Sequence, residues 1–138
     1  MGKILIVDDT RTMVALLKAH LAGLGHEYVT ATDGREALLV VEREKPDLVI
    51  SDVMMPNMSG LDFIRELKSR PAHAQTPVVL ISSQWNTERR MEALQAGAVA
   101  CLGKPLQVNW LTKIVAQLVR PGGVLAEDWS APSRRGGA

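Results

Sequence analysis

The chain is most informative first for what it lacks. It has one cysteine, Cys101, so an internal disulfide is excluded, and no cysteine and histidine cluster has the spacing of a zinc site. A reducing compartment fits that usage. Positive charge is not in excess either: 16 Lys+Arg stand against 15 Asp+Glu, a formal net charge of +1, so no broad basic field draws the protein directly to nucleic acid. No apolar run approaches membrane length. The opening Ile4 to Val7 segment meets Asp8 too soon for a secretory leader. The expectation is a soluble, cytoplasmic protein without a membrane partner. Repeats and heptads are absent as well.

What is present is an ordinary globular composition over 138 residues, 46% hydrophobic and 22% charged, enough for one core with little room for a second. Ile4 to Val7, Asp47 to Ile50 and Val78 to Ile81 are apolar on both faces, the pattern of parallel strands covered on two sides. Weaker strands read at Glu27 to Ala31 and Val99 to Leu102. Between them lie helical stripes: Met13, Leu16, Leu17, Leu21 and Leu24, then Ala37, Leu38 and Val41, then Leu61, Ile64 and Leu67. Thr87 to Ala96 and Gln107 to Val119 complete the set. Gly25, Gly34, Pro46, Pro77 and Gly97 fall at the joints.

Five βα units imply an α/β fold, a doubly wound five-stranded parallel sheet with five helices in the flavodoxin-like order 2-1-3-4-5. The domain is expected over residues 1–120. Residues 121–138, rich in Gly, Pro, Ser and Arg, read as a flexible tail that Trp129 could tether.

Open sheets bind ligands beyond the carboxyl ends of their strands. Asp8 and Asp9 follow the first strand, Asp52 the third, Ser82 and Ser83 the fourth and Lys104 the fifth. Taken singly, each has a plain reading: Asp9 as a helix cap, Asp52 as a turn residue before Pro56, Ser82 as a backbone-bonding hydroxyl, Lys104 as a solvated cation. In the stated strand order they converge. Crowded carboxylates repel unless a cation sits among them. An all-oxygen set selects magnesium, manganese or calcium over zinc, and a site with few protein ligands that keeps waters suits magnesium, with manganese as an alternative. Asp52, ending the central strand, is the best nucleophile for phosphorus, with Lys104 and Ser82 placed to meet phosphoryl oxygens.

The motifs Ile-Leu-Ile-Val-Asp8-Asp9, Asp52-Val-Met-Met-Pro56-Asn-Met-Ser-Gly60, Leu-Ile-Ser82-Ser83, Ala96-Gly97-Ala98 and Lys104-Pro105 together resemble the receiver domain of bacterial two-component response regulators, the CheY-like family, over about residues 3–119. The resemblance implies a phosphorylation-activated switch with no enzymatic activity beyond its own phosphorylation and dephosphorylation. It implies that Asp52 accepts phosphate from a histidine kinase or a histidine phosphotransfer protein. Asp8, Asp9, Asp52 and the Met54 carbonyl would hold Mg2+, Ser82 and Lys104 would contact the phosphoryl group, and Lys104-Pro105 is a candidate cis peptide. A downstream protein target would dock on the fourth helix, fifth strand and fifth helix, and the chain would be a monomer or weak dimer, acting as a stand-alone receiver or a fragment without an output domain.

Two features depart from the family pattern. Cys101 stands where an aromatic switch residue is usual, and Met54 and Gln84 flank the phosphorylation position, where the family tunes the access of water. Elsewhere, His20 and His26 read as structural, His73 as part of a polar connector, Cys101 as an inert buried thiol, and Arg89 and Arg90 as a solvated helix face. Trp85 is divided between partner contact and local packing, and Trp110 reads as a partly exposed interface anchor. Rival functions are weaker. A phosphohydrolase of the Asp-x-Asp type would need an acid where Met54 stands, and a flavin binder would not place Asp8 and Asp9 in its phosphate loop.

Overall fold

The continuous apolar runs of the central strands need helices on both faces, and the fold supplies them. A computed structural model describes residues 2–104 and 108–119, without the side chains of 108 and 110. Strands β1 (Lys3–Val7), β2 (Glu27–Ala31), β3 (Leu48–Asp52), β4 (Val78–Ser82) and β5 (Ala100–Gly103) alternate with helices α1 (Arg11–Leu21), α2 (Gly34–Glu44), α3 (Gly60–Lys68), α4 (Thr87–Ala96) and α5 (Val108–Leu118). The sheet is parallel with the order β2-β1-β3-β4-β5. This is the expected doubly wound architecture.

Side chains alternate across each strand, so consecutive apolar residues feed two separate cores. Leu5, Val49 and Leu80 pack with Ala37, Val41, Phe63, Ile64 and Leu67 under α2 and α3. Ile4, Ile6, Ile50, Val79 and Ile81 pack with Leu17, Leu21, Leu111, Ile114 and Val115 under α1 and α5. β3 and β4 are buried along their whole length, and this double coverage aligns their carboxyl ends in the middle of the sheet.

The structure shifts several boundaries. β3 runs to Asp52 and not from Asp47, because the ladder with β4 continues to Asp52 opposite Ile81, while the Asp47 carboxylate accepts the Lys3 amide at 2.8 Å. Hydrogen bonding overrides the polar residue that suggested an end. The stripe of the first helix splits: α1 stops at Leu21, a 3-10 turn covers Ala22–Leu24, and Gly25 takes a left-handed φ of 76°. Thr10, not Asp9, is the N-cap of α1, and its side chain makes no capping bond. Gly34 opens α2 behind the N-cap Asp33 and does not break the chain before it.

His73 lies in the connector between α3 and β4, where it is buried. It is 6% exposed, and its Nε2 lies 2.6 Å from Glu42 Oε1 on α2, which also takes a bond from Arg70. The candidate cis bond at Pro105, the Trp110 side chain, Trp129 and the 121–138 tail lie outside the described residues.

Candidate functional site

The strand order alone brings three chain segments to one edge. β1 and β3 are neighbours, so Asp8 and Asp9, just past β1, face Asp52 at the end of β3. One carboxylate oxygen from each of Asp8, Asp9 and Asp52 lies within 4.8 Å of the others. Asp8 and Asp52 are 3% and 6% exposed, whereas Asp9 opens to solvent. Two acids are therefore held inside the mouth and one stands at its rim.

Local bonds fix the two inner acids. Asp8 Oδ1 accepts the Thr10 amide at 2.9 Å, which turns the chain from β1 into α1. Asp52 Oδ1 accepts the Met54 amide at 3.2 Å, and its Oδ2 accepts Lys104 Nζ at 3.0 Å across 52 residues of sequence. Lys104 reaches that position because its own amide continues the β5 ladder onto the Ser82 carbonyl at 3.1 Å. The Met54 side chain, 60% exposed, points away from the core.

The loop after Asp52 is tightly bound. Gly60 N donates to Val53 O at 2.9 Å, and a Cβ on Gly60 would strike the Asp52 carbonyl oxygen and lie 2.9 Å from Val53 Cα. Glycine is required there because the first turn of α3 rests directly on the Asp52 backbone. Asn57, left-handed at φ 65°, donates from Nδ2 to Asp33 Oδ2 at 2.7 Å and ties the loop to α2. The position of the Asp52 carboxylate is thus set by the backbone beneath it.

Electrostatics at the site is unbalanced. Burial pushes the Asp8 carboxyl above its ordinary range, and the neighbouring Asp52 and Asp9 charges add to this against the Thr10 amide and Lys104. Lys104 is one ammonium for three acids. The donor set fits a small hard divalent cation, since it offers only carboxylate oxygens and an open rim where waters complete the shell. Ser82, 4% exposed, sits at the end of β4 with Oγ accepting the Gln84 amide at 3.0 Å.

Beside it, a cavity of about 220 Å³ is lined by Val53, Met54, Leu61, Ser82, Trp85 and Arg89 among others. The sequence-predicted Asp8, Asp9, Asp52 and Lys104 meet as expected, and Ser82 stands at the adjoining strand end. What sequence reasoning did not assign is the support these residues receive from Thr10, Gly60, Asn57 and Gln84. Gly60 and Asn57 stand inside the quoted Asp52 motif and Gln84 beside the phosphorylation position, but the bonds they make follow from backbone geometry that the sequence does not display.

Burial also sets the character of Cys101. Its thiol, 4% exposed, is pushed up to about 11 by desolvation, opposed by Arg90, and is inert as a nucleophile near neutral pH.

Comparison with known proteins agrees with this arrangement. The chain is 40% identical over 119 residues to the response regulator PleD of Caulobacter vibrioides, covering 86% of this chain and 26% of PleD. It is 32% identical over 124 residues to the alkaline phosphatase synthesis transcriptional regulatory protein PhoP of Bacillus subtilis, covering 90% of this chain and 51% of PhoP. The chain therefore spans from about a quarter to about half of these relatives. Among solved structures, the chemotaxis protein CheY4 of Vibrio cholerae superposes with a TM-score of 0.80 at 32% identity, covering 86% of this chain and 98% of that one. The receiver domain of a Pseudomonas aeruginosa sensor histidine kinase, solved with a magnesium ion coordinated in its active-site cleft, gives a TM-score of 0.78 at 25% identity over 86% of this chain and 97% of that one. The response regulator receiver domain model matches residues 4–116, which takes in every acid and the lysine of the site, and the chain belongs to that family of two-component signalling domains.

Proposed function

We propose that this domain is a phosphorylation-activated switch in which Asp52 accepts a phosphoryl group from the histidine of a kinase or a phosphotransfer protein. In that step the phosphorus to nitrogen bond of phosphohistidine breaks, a bond to an Asp52 carboxylate oxygen forms, and the imidazole leaves with a proton taken from solvent. The observation that carries the reading is the convergence of the Asp8, Asp9 and Asp52 oxygens within 4.8 Å beside an ammonium 3.0 Å from Asp52 Oδ2.

Each residue has a role that follows from its chemistry. Asp8, Asp9 and Asp52, with the Met54 carbonyl, would hold Mg2+, or Mn2+ in its place. The metal, when bound, supplies the positive charge that lets anionic phosphate approach three carboxylates. Lys104 pairs with Asp52 before transfer and is free to follow a phosphoryl oxygen afterwards, as a point charge on a flexible stem. The Ser82 hydroxyl donates to another phosphoryl oxygen. Asp52 itself is held by backbone contacts with Gly60 and Val53, so the attacking oxygen is oriented at no further entropic cost.

We assign the output to protein contacts on the face of α4, β5 and α5, where Met91 and Leu94 stand exposed on α4. The balanced charge supports a protein partner over direct contact with nucleic acid. Among the described residues no helix is long and apolar enough to cross a membrane, which supports a cytoplasmic site of action. Whatever activity accompanies the switch, catalysis here is confined to gain and loss of its own phosphoryl group.

The test is intact mass after incubation with phosphoramidate and Mg2+. One phosphoryl addition is expected in the wild type and none in Asp52→Asn. Equal labelling of both would refute the assignment.

A further inference from the structure

We propose that Trp85 is a positioning residue that locks the loop between β4 and α4 against β5, and through it holds the Ser82 hydroxyl on the Gln84 amide until a phosphoryl group at Asp52 draws it over. This rests on the function proposed above and adds a device built on Trp85.

The observations form one connected set. Ser82 Oγ is engaged by the amide of Gln84, 3.0 Å away in its own loop. The next residue, Trp85, spends its only polar side-chain atom on β5: Nε1 donates to the Leu102 carbonyl at 2.7 Å. Arg90, one turn into α4, places its guanidinium carbon 5.3 Å from the centre of the Trp85 ring and donates to the Cys101 carbonyl at 3.3 Å. Arg89 holds the same loop from the other side, donating to the Gln84 carbonyl at 2.8 Å.

Turning Ser82 toward Asp52 removes the acceptor of the Gln84 amide. That loosens the turn at residues 83–86, whose displacement the Trp85 indole bond to Leu102 opposes. Occupancy at Asp52 and the Trp85 to Leu102 bond are then two ends of one equilibrium. Cys101 cannot serve in place of Trp85, because its short side chain is 4% exposed and closed over by the core. The lock opens toward the surface between α4 and β5, so its release changes that surface directly.

A ligand that favours the released state binds more tightly when the lock is weakened. Removing one neutral hydrogen bond shifts such an equilibrium by about three- to tenfold. The experiment titrates the full chain with beryllofluoride, a phosphoryl mimic, at saturating Mg2+, following the bound fluorine signal by NMR. Trp85→Phe, which keeps a ring but loses the N–H, is expected to bind the mimic about three- to tenfold more tightly than wild type at unchanged Mg2+ affinity. Equal or weaker binding would overturn the lock, since a tryptophan that merely packs has no reason to oppose the mimic.

A second readout needs no substitution at position 85. In the wild type, the indole N–H signal that survives both Trp110→Phe and Trp129→Phe belongs to Trp85, and its hydrogen exchange should speed up when the mimic binds. Unchanged exchange would again refute the lock. A wild type that binds no mimic would overturn the phosphorylation reading itself, an outcome distinct from equal binding by the two chains.

Discussion

Neutralising Asp8 should stabilise the metal-free protein. Two like charges at 4.8 Å repel by about 1 kcal/mol at the dielectric of water and about 3.5 kcal/mol at an effective value of 20. Asp8 is 3% exposed and faces both Asp9 and Asp52, so relief falls inside that range. Asparagine retains the oxygen that accepts the Thr10 amide, which keeps the turn into α1 intact. Asp8→Asn is expected to gain about 1–3 kcal/mol and to raise Tm by roughly 3–10 °C without metal. The same carboxylate repulsion predicts a gain for Asp52→Asn as well. The structure makes that gain the smaller one, because Asp52 shares its charge with Lys104 at 3.0 Å and its loss strands the ammonium. Magnesium should reverse the order: at a hundredfold excess over its Kd it stabilises the wild type by about 2.7 kcal/mol, and Asp8→Asn by far less. Calorimetry of the three chains with EDTA and with Mg2+ is the assay. A lower metal-free Tm for Asp8→Asn, or an equal magnesium increment in it and the wild type, would refute the reasoning.

Three further outcomes are expected. The Cys101 thiol is raised from 9.0 to about 11 in the folded state, so its contribution is complete below pH 9.0 and is lost as pH rises through about 11. Urea melts at pH 8 and pH 11 should show wild type losing on the order of 2 kcal/mol more than Cys101→Ala, and equal losses would contradict it. Gly60→Ala drives a methyl group onto the Asp52 backbone and should cost about 1–3 kcal/mol while slowing phosphorylation; an unperturbed melt would show that α3 does not rest there. Glu42 has its carboxyl below the ordinary 4.5 because His73 and Arg70 bond it, so its stabilising effect is full above pH 4.5 and fades as pH falls through the lowered value. Acid melts of Glu42→Gln should therefore be flatter between pH 5 and pH 3 than those of wild type.

The three central strands were legible because they are buried on both faces. Ile4 to Val7 and Val78 to Ile81 read as continuous apolar runs, and the same residues divide between the two cores. The acids were legible for the related reason that polar residues ending such runs have nowhere to go but the strand ends. Boundaries were less so: Ser51 and Asp52 read as lying beyond a strand that ends at Ile50, yet pairing with Leu80 and Ile81 keeps them in the ladder. Sequence could not reveal His73, whose partner Glu42 lies 31 positions away on another helix. Nor could it decide between packing and contact for Trp85, since the deciding atom is a carbonyl on β5, and backbone carbonyls leave no trace in side-chain pattern. Long-range polar pairs depend on register and topology together, and those are fixed by the apolar residues around them.

The most direct measurement is the address of the phosphoryl group. Borohydride reduces an acyl phosphate of aspartate to homoserine, which tandem mass spectrometry locates by residue. After phosphoramidate and Mg2+, conversion should appear at position 52 alone and vanish when EDTA replaces magnesium. Conversion at Asp8 or Asp9, or labelling at position 52 that is indifferent to the metal, would contradict the account.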